Sequence, residues 1–71
     1  MESEELLFNQ AKKLHISGKI RDAQLVYLQL LKNNSKNSNL LYLIGTTYVQ
    51  TKNYKKGKEF LNRSIKLFLS E

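Results

Sequence analysis

The chain is predicted to be all-α, folded as two antiparallel helix–turn–helix hairpins stacked on each other. Three observations predict this. The sequence falls onto itself at an offset of 34 residues with no insertion. Within each unit the apolar residues recur at helical spacing. The segment Asn33-Asn34-Ser35-Lys36-Asn37 between the units has no apolar residue and reads as a turn. With no Pro and only three Gly, little in the 71 residues interrupts a helix.

The repetition matches size as well as hydropathy. Leu6 falls on Leu40, Leu7 on Leu41, Phe8 on Tyr42 and Leu14 on Tyr48. Ile20 falls on Tyr54 and Leu31 on Ile65. Two small residues fall on small ones, Ala11 on Gly45 and Ala23 on Gly57. Small-for-small pairs are expected when each position fills the same packing slot twice. Repeat one then spans about 4–37 and repeat two about 38–71 of a single domain covering 1–71.

Each element follows from local chemistry. Ser3 is an expected N-cap, with Glu4 and Glu5 complementing the first helix's N-terminus. Leu7, Ala11 and Leu14 share one face, and Gly18 suits a left-handed cap that ends this helix near Ser17. A second helix is expected over about 20–33, burying Ile20, Ala23, Tyr27, Leu30 and Leu31. Ser38 can cap a third helix over about 38–51, whose Leu41, Ile44, Gly45 and Tyr48 repeat the pattern of the first. Lys52-Asn53 replaces the Gly18 corner, with Asn53 as the residue that tolerates a left-handed conformation. The fourth helix runs from Tyr54 to near the end.

That fourth helix has an apolar arc of about 160°, too wide for one neighbour. On a helical wheel Tyr54, Leu61 and Ile65 suit the preceding helix. Gly57, Phe60, Ser64 and Leu67 then face away and offer a seat to another helix. Phe60, Ser64 and Leu67 are therefore the expected face for self-association. Two repeats without a polar end are fewer than such stacks ordinarily need. A fragment, the start of a longer array, or a self-associating chain is expected.

Composition narrows the function classes. There is no Cys and a single His, His15, so neither a disulfide framework nor a zinc site is expected, and no cofactor. One Asp and one His give no set of acids, bases or nucleophiles, so the chain is not expected to be an enzyme. The longest apolar run is the five residues Leu40 to Ile44, too short to span a membrane. The acidic start is not that of a signal peptide, and a cytoplasmic location is expected. Twelve Lys+Arg against six Asp+Glu give a net charge of +6. The stretch from Lys52 to Lys66 alone carries +5. A nucleic-acid surface would need stacking or base-reading groups beside those cations. Tyr54, Phe60 and Phe68 fall on the apolar arc instead, so a solvated basic face is expected, with a nucleic-acid-associated protein as the alternative reading.

A 34-residue helix–turn–helix period resembles the tetratricopeptide repeat family. The second unit reads Leu41-x-x-Ile44-Gly45-x-x-Tyr48, similar to the first-helix half of that signature. The first unit carries Ala11, Gly18, Ala23 and Tyr27, similar to the corner and second-helix half. The resemblance covers about residues 4–71. Leu7 and Leu41 stand where the family often has Trp, Ser35 where it has Pro, and Lys52 at the second corner Gly.

The resemblance implies an α-solenoid. Leu7, Ala11, Leu14, Gly18, Ala23 and Tyr27 would pack one repeat, and Leu41, Gly45, Tyr48, Gly57 and Leu61 the other. It also implies binding of a protein or peptide in a concave groove lined by Glu5, Phe8, Lys12, His15, Asn39, Tyr42, Thr46 and Val49. Spacing places Phe8, Lys12 and His15 on one helix face, and Asn39, Tyr42, Thr46 and Val49 on another. Phe8 and Tyr42 are the best candidates for contact with a partner. Phe8 and Leu43 take positions where some members hold Lys and Asn for acidic chaperone tails, so that activity is not expected. Repeats of this composition also resemble segments ahead of bacterial glycosyltransferase or sulfotransferase domains. The function would then be recruitment, with the chemistry elsewhere.

Overall fold

A computed structural model describes residues 2–34 and 36–70. It is all-helical: α1 (Glu2–Ile16), α2 (Ile20–Asn33), α3 (Ser38–Gln50) and α4 (Tyr54–Ser70). Among the described residues there is no strand. Ser35, expected in the central turn, lies outside them. No helix is long and apolar enough to cross a membrane among the described residues.

Three-residue corners fold α1 back on α2 and α3 back on α4. Both corners close by the same pair of hydrogen bonds. In the first, Lys19 N donates to Leu14 O (2.9 Å) and Gly18 N to His15 O (3.2 Å). In the second, Asn53 N donates to Tyr48 O (2.8 Å) and Lys52 N to Val49 O (3.0 Å). Every atom of one pair has its counterpart 34 residues on. This double closure needs a left-handed residue just past the helix. Gly18 supplies it at φ 90°, and Lys52 at φ 67°. The left-handed residue of the second corner is thus Lys52, not Asn53. The closure counts from Leu14 or Tyr48, so position in the corner decides over residue preference. Asn53 instead turns its side chain to the start of α4, where Oδ1 accepts from Lys56 N at 3.4 Å.

Two other caps differ from expectation. Asn37, with extended backbone, caps α3: its Oδ1 accepts from Leu40 N at 3.0 Å. Ser38 is the first helical residue instead. Ser3 lies within α1, which begins at Glu2.

The core sits where α2 lies between α1 and α3. Ala11, Ala23, Tyr27, Leu30, Leu40 and Ile44 are buried together, with Leu7, Leu14 and Leu31 packed against them. Gln24 of α2 reaches α3, donating to Thr47 Oγ1 at 3.0 Å. Thr47 is fully buried and donates in turn to Ile44 O at 2.6 Å, so its hydroxyl is satisfied in both roles.

The α3–α4 contact keeps Leu61 of the wheel assignment, half-buried against Gly45, and reverses the rest. Gly57 and Ser64 are buried, Phe60 is half-buried and stacks on Tyr48 (5.5 Å, 22°), and Ser64 Oγ donates to Ser38 O at 2.7 Å. At Phe60 and Ser64 the expected association seat is therefore filled by α3, and Leu67 is half-buried. Tyr54 and Ile65, expected against α3, are 62% and 55% exposed. The reason lies in the glycine crossing. A Cβ on Gly57 would stand 2.6 Å from Val49 Cγ2 and 3.2 Å from Gly45 O. A Cβ on Gly45 would stand 2.8 Å from Leu61 Cδ2 and 3.2 Å from Gly57 O. The two backbones touch here, which turns the Gly57–Ser64 edge inward and Tyr54 and Ile65 outward.

Candidate functional site

The expected groove residues form two matched stripes, Glu5, Phe8, Lys12 and His15 on α1 and Asn39, Tyr42, Thr46 and Val49 on α3. Packing treats the two stripes differently.

On α1 the stripe is half covered. Phe8 meets Tyr27 edge-on (centroids 6.1 Å, 61°), and Lys12 Nζ lies 5.1 Å above the Phe8 ring. His15 Nδ1 is 3.2 Å from the Tyr27 hydroxyl and its Nε2 is 2.6 Å from Gln50 Oε1. The Gln50 oxygen only accepts, so Nε2 carries the hydrogen. In the neutral ring Nδ1 is then an acceptor, and the Tyr27 hydroxyl donates to it. Tyr27 is fully buried, and burial pushes its hydroxyl pKa above the ordinary 10.0. His15 thus ties α1 to both α2 and α3. From sequence alone it read as a groove or solvent-facing residue.

On α3, Val49 meets α4 at Gly57 and is only 38% exposed. Thr46 is half-buried, with its hydroxyl bonded to Leu43 O at 2.7 Å. Tyr42 is 52% exposed and Asn39 is exposed.

The ends of the two stripes line two equivalent clefts. The first is formed by Glu4, Glu5, Phe8, Leu30 and Asn34, with Asn37 and Leu40 from the start of α3 closing one side. The second is formed by Ser38, Asn39, Tyr42, Ser64, Ile65, Phe68 and Leu69. Stepping 34 residues carries Glu4, Glu5, Phe8, Leu30 and Asn34 onto Ser38, Asn39, Tyr42, Ser64 and Phe68. The second cleft is the wider, about 400 Å³ against about 260 Å³. Lys12, His15, Thr46 and Val49 line neither.

Sequence reading missed the exposed apolar group of the second cleft: Ile65, Phe68 and Leu69 are 55%, 67% and 75% exposed. The signal was present in the repeat itself. Ile65 is the counterpart of Leu31, which packs on the core beside α3.

The basic face of α4 is partly engaged. Lys56 Nζ lies 5.8 Å above Tyr48, and the Arg63 guanidinium lies 5.0 Å above Phe60. These cations lie over the Tyr48–Phe60 stack at cation–π distance.

No protein-family model, curated protein or solved structure matches the chain.

Proposed function

We propose that this chain is a tetratricopeptide-type interaction module without chemistry of its own, working in the cytoplasm and stacking its hairpins in a right-handed sense. Its ligand is a protein or peptide segment laid across α1 and α3. The observation that carries this reading is the recurrence of one corner and one small-residue crossing at a 34-residue step, at Gly18 and Lys52 and at Ala11–Ala23 and Gly45–Gly57. A unit built twice on one frame presents the same helix face twice, which suits an extended ligand. The exposed groups on that face are Glu5 and Lys12 on α1 and Asn39, Tyr42 and Val49 on α3, with Phe8 half-buried among them.

The test is selection of peptides from a displayed library, followed by affinity measurement on variants. Lys12→Glu and Tyr42→Ala change exposed side chains and leave the helical circular dichroism unaltered. Each is expected to weaken selected peptides by about ten-fold, the loss of one good contact. Selected peptides that bind both variants as well as the parent would remove the groove from consideration.

A further inference from the structure

The first cleft shows what the second is shaped to receive. Leu40, at the start of α3, closes the first cleft and is only 3% exposed there. Below it, Ile44 and Thr47 continue along α3 against α2, with Thr47 accepting from Gln24 at 3.0 Å. At the 34-residue step, Gln24 and Leu31 of α2 and Asn34 just past its end become Lys58, Ile65 and Phe68 of α4. Ile65 and Phe68 stand open, and Lys58 is exposed in the same row. The stripe therefore repeats the surface on which α3 sits, with two changes of character: the Gln24 amide has become the Lys58 cation, and the Asn34 amide the apolar Phe68.

We propose that this end face, Tyr54, Lys58, Ile65 and Phe68 with the cleft beside Tyr42, docks an amphipathic acidic helix of a partner protein. The partner's leucine fills the place Leu40 takes in the first cleft. Its carboxylate, two turns on, faces Lys58 where Thr47 faces Gln24. Charge favours this occupant: Lys58 is exposed within the face, and Lys55 and Lys66 are exposed at its edge on the helical wheel. A second copy of the chain fits poorly. Its α1 would bring Leu6 to the cleft, but Gln10 would then stand in the place of Ile44 and Lys13 in the place of Thr47, directly against Lys58.

The probe is a fluorescent peptide of residues 37–50 carrying Thr47→Glu, Leu41→Glu, Gly45→Ala and Tyr48→Glu. Leu41 is 2% exposed in the chain, so Leu41→Glu prevents the peptide from simply replacing α3. Saturable binding by anisotropy is expected. The same peptide with Thr47→Lys should bind on the order of ten-fold more weakly, as like charges meet. Lys58→Glu in the chain should invert that order. Phe68→Glu should abolish binding while leaving circular dichroism and melting unchanged, because Phe68 is 67% exposed. The groove variant Lys12→Glu, which lines neither cleft, serves as a separate control: binding that follows Lys12 and ignores Phe68 places the peptide in the groove and overturns the proposal. So does an absence of saturable binding, an unchanged preference in Lys58→Glu, or self-association by sedimentation that Phe68→Glu removes.

Discussion

The two hairpins share a frame but fill it differently. At their crossings the first has Ala11 with Ala23 and the second Gly45 with Gly57. In the first, a Cβ on each helix is accommodated with both residues fully buried. In the second, backbone meets backbone, and a Cβ on either would come within 3.2 Å of the other's carbonyl oxygen. The large core residues differ too. Tyr27 and Leu30 of α2 are buried, whereas their counterparts Leu61 and Ser64 are a half-buried leucine and a buried hydroxyl. The difference comes from neighbours: among the described residues α2 packs closely on both α1 and α3, whereas α4 packs closely on α3. One repeat frame can thus hold an interior helix with large apolar residues, or an end helix drawn close by glycine.

This contrast is broken most severely at its largest residue. Tyr27→Ala is expected to cost about 3–5 kcal/mol, against about 2 kcal/mol for Leu61→Ala, in urea unfolding. Equal losses would mean that the end hairpin carries as much core as the interior one. Tyr27 also gives an alkaline signature. Its folded pKa is raised by burial, so its contribution is fully present below about pH 10 and is lost as pH climbs towards the folded value. Tyr27→Phe should flatten that alkaline decline.

Next in size is the glycine crossing. Gly57→Ala should destabilise by about 1–3 kcal/mol, although alanine is the better helix former, because Val49 and the α3 backbone cannot yield. Gly45→Ala should cost less, since Leu61 can shift its side chain. A gain in melting temperature for Gly57→Ala would show the crossing to be looser than described. Ser64→Ala removes the bond to Ser38 O and should cost about 1 kcal/mol. Smallest is Lys52→Gly, expected to stabilise by up to about 1 kcal/mol by relieving a left-handed non-glycine residue. The equivalent Gly18→Lys should destabilise by a similar amount, and the pair together test whether the corners are interchangeable.

Helix positions were legible in the sequence because a repeat states each boundary twice. Where the two statements were combined, they held: Ile20 and Tyr54 both open helices. Where residue preference was consulted instead, it misled. Asn53 was favoured over Lys52 for the left-handed corner, although Gly18 aligns with Lys52. The wheel of α4 misled in the same way. It measured the width of the apolar arc but not which edge meets α3, while the match of Gly57 to Ala23 already held the answer. The stripes of the candidate site were legible from spacing. Their covering was not, since the tie of His15 to Tyr27 and Gln50 spans 12 and 35 residues of sequence.

One feature of α4 bears on how the molecule opens. It is the longest helix, at 17 residues, yet among the described residues its close packing is all with α3. Its amide protons should exchange with solvent through partial openings that leave α1, α2 and α3 assembled, at a free energy below that of global unfolding. The amides of α2, held on two sides, should exchange only when the whole chain unfolds. A ligand on the end face would slow exchange in α4 first, giving hydrogen exchange a residue-by-residue record of where binding occurs.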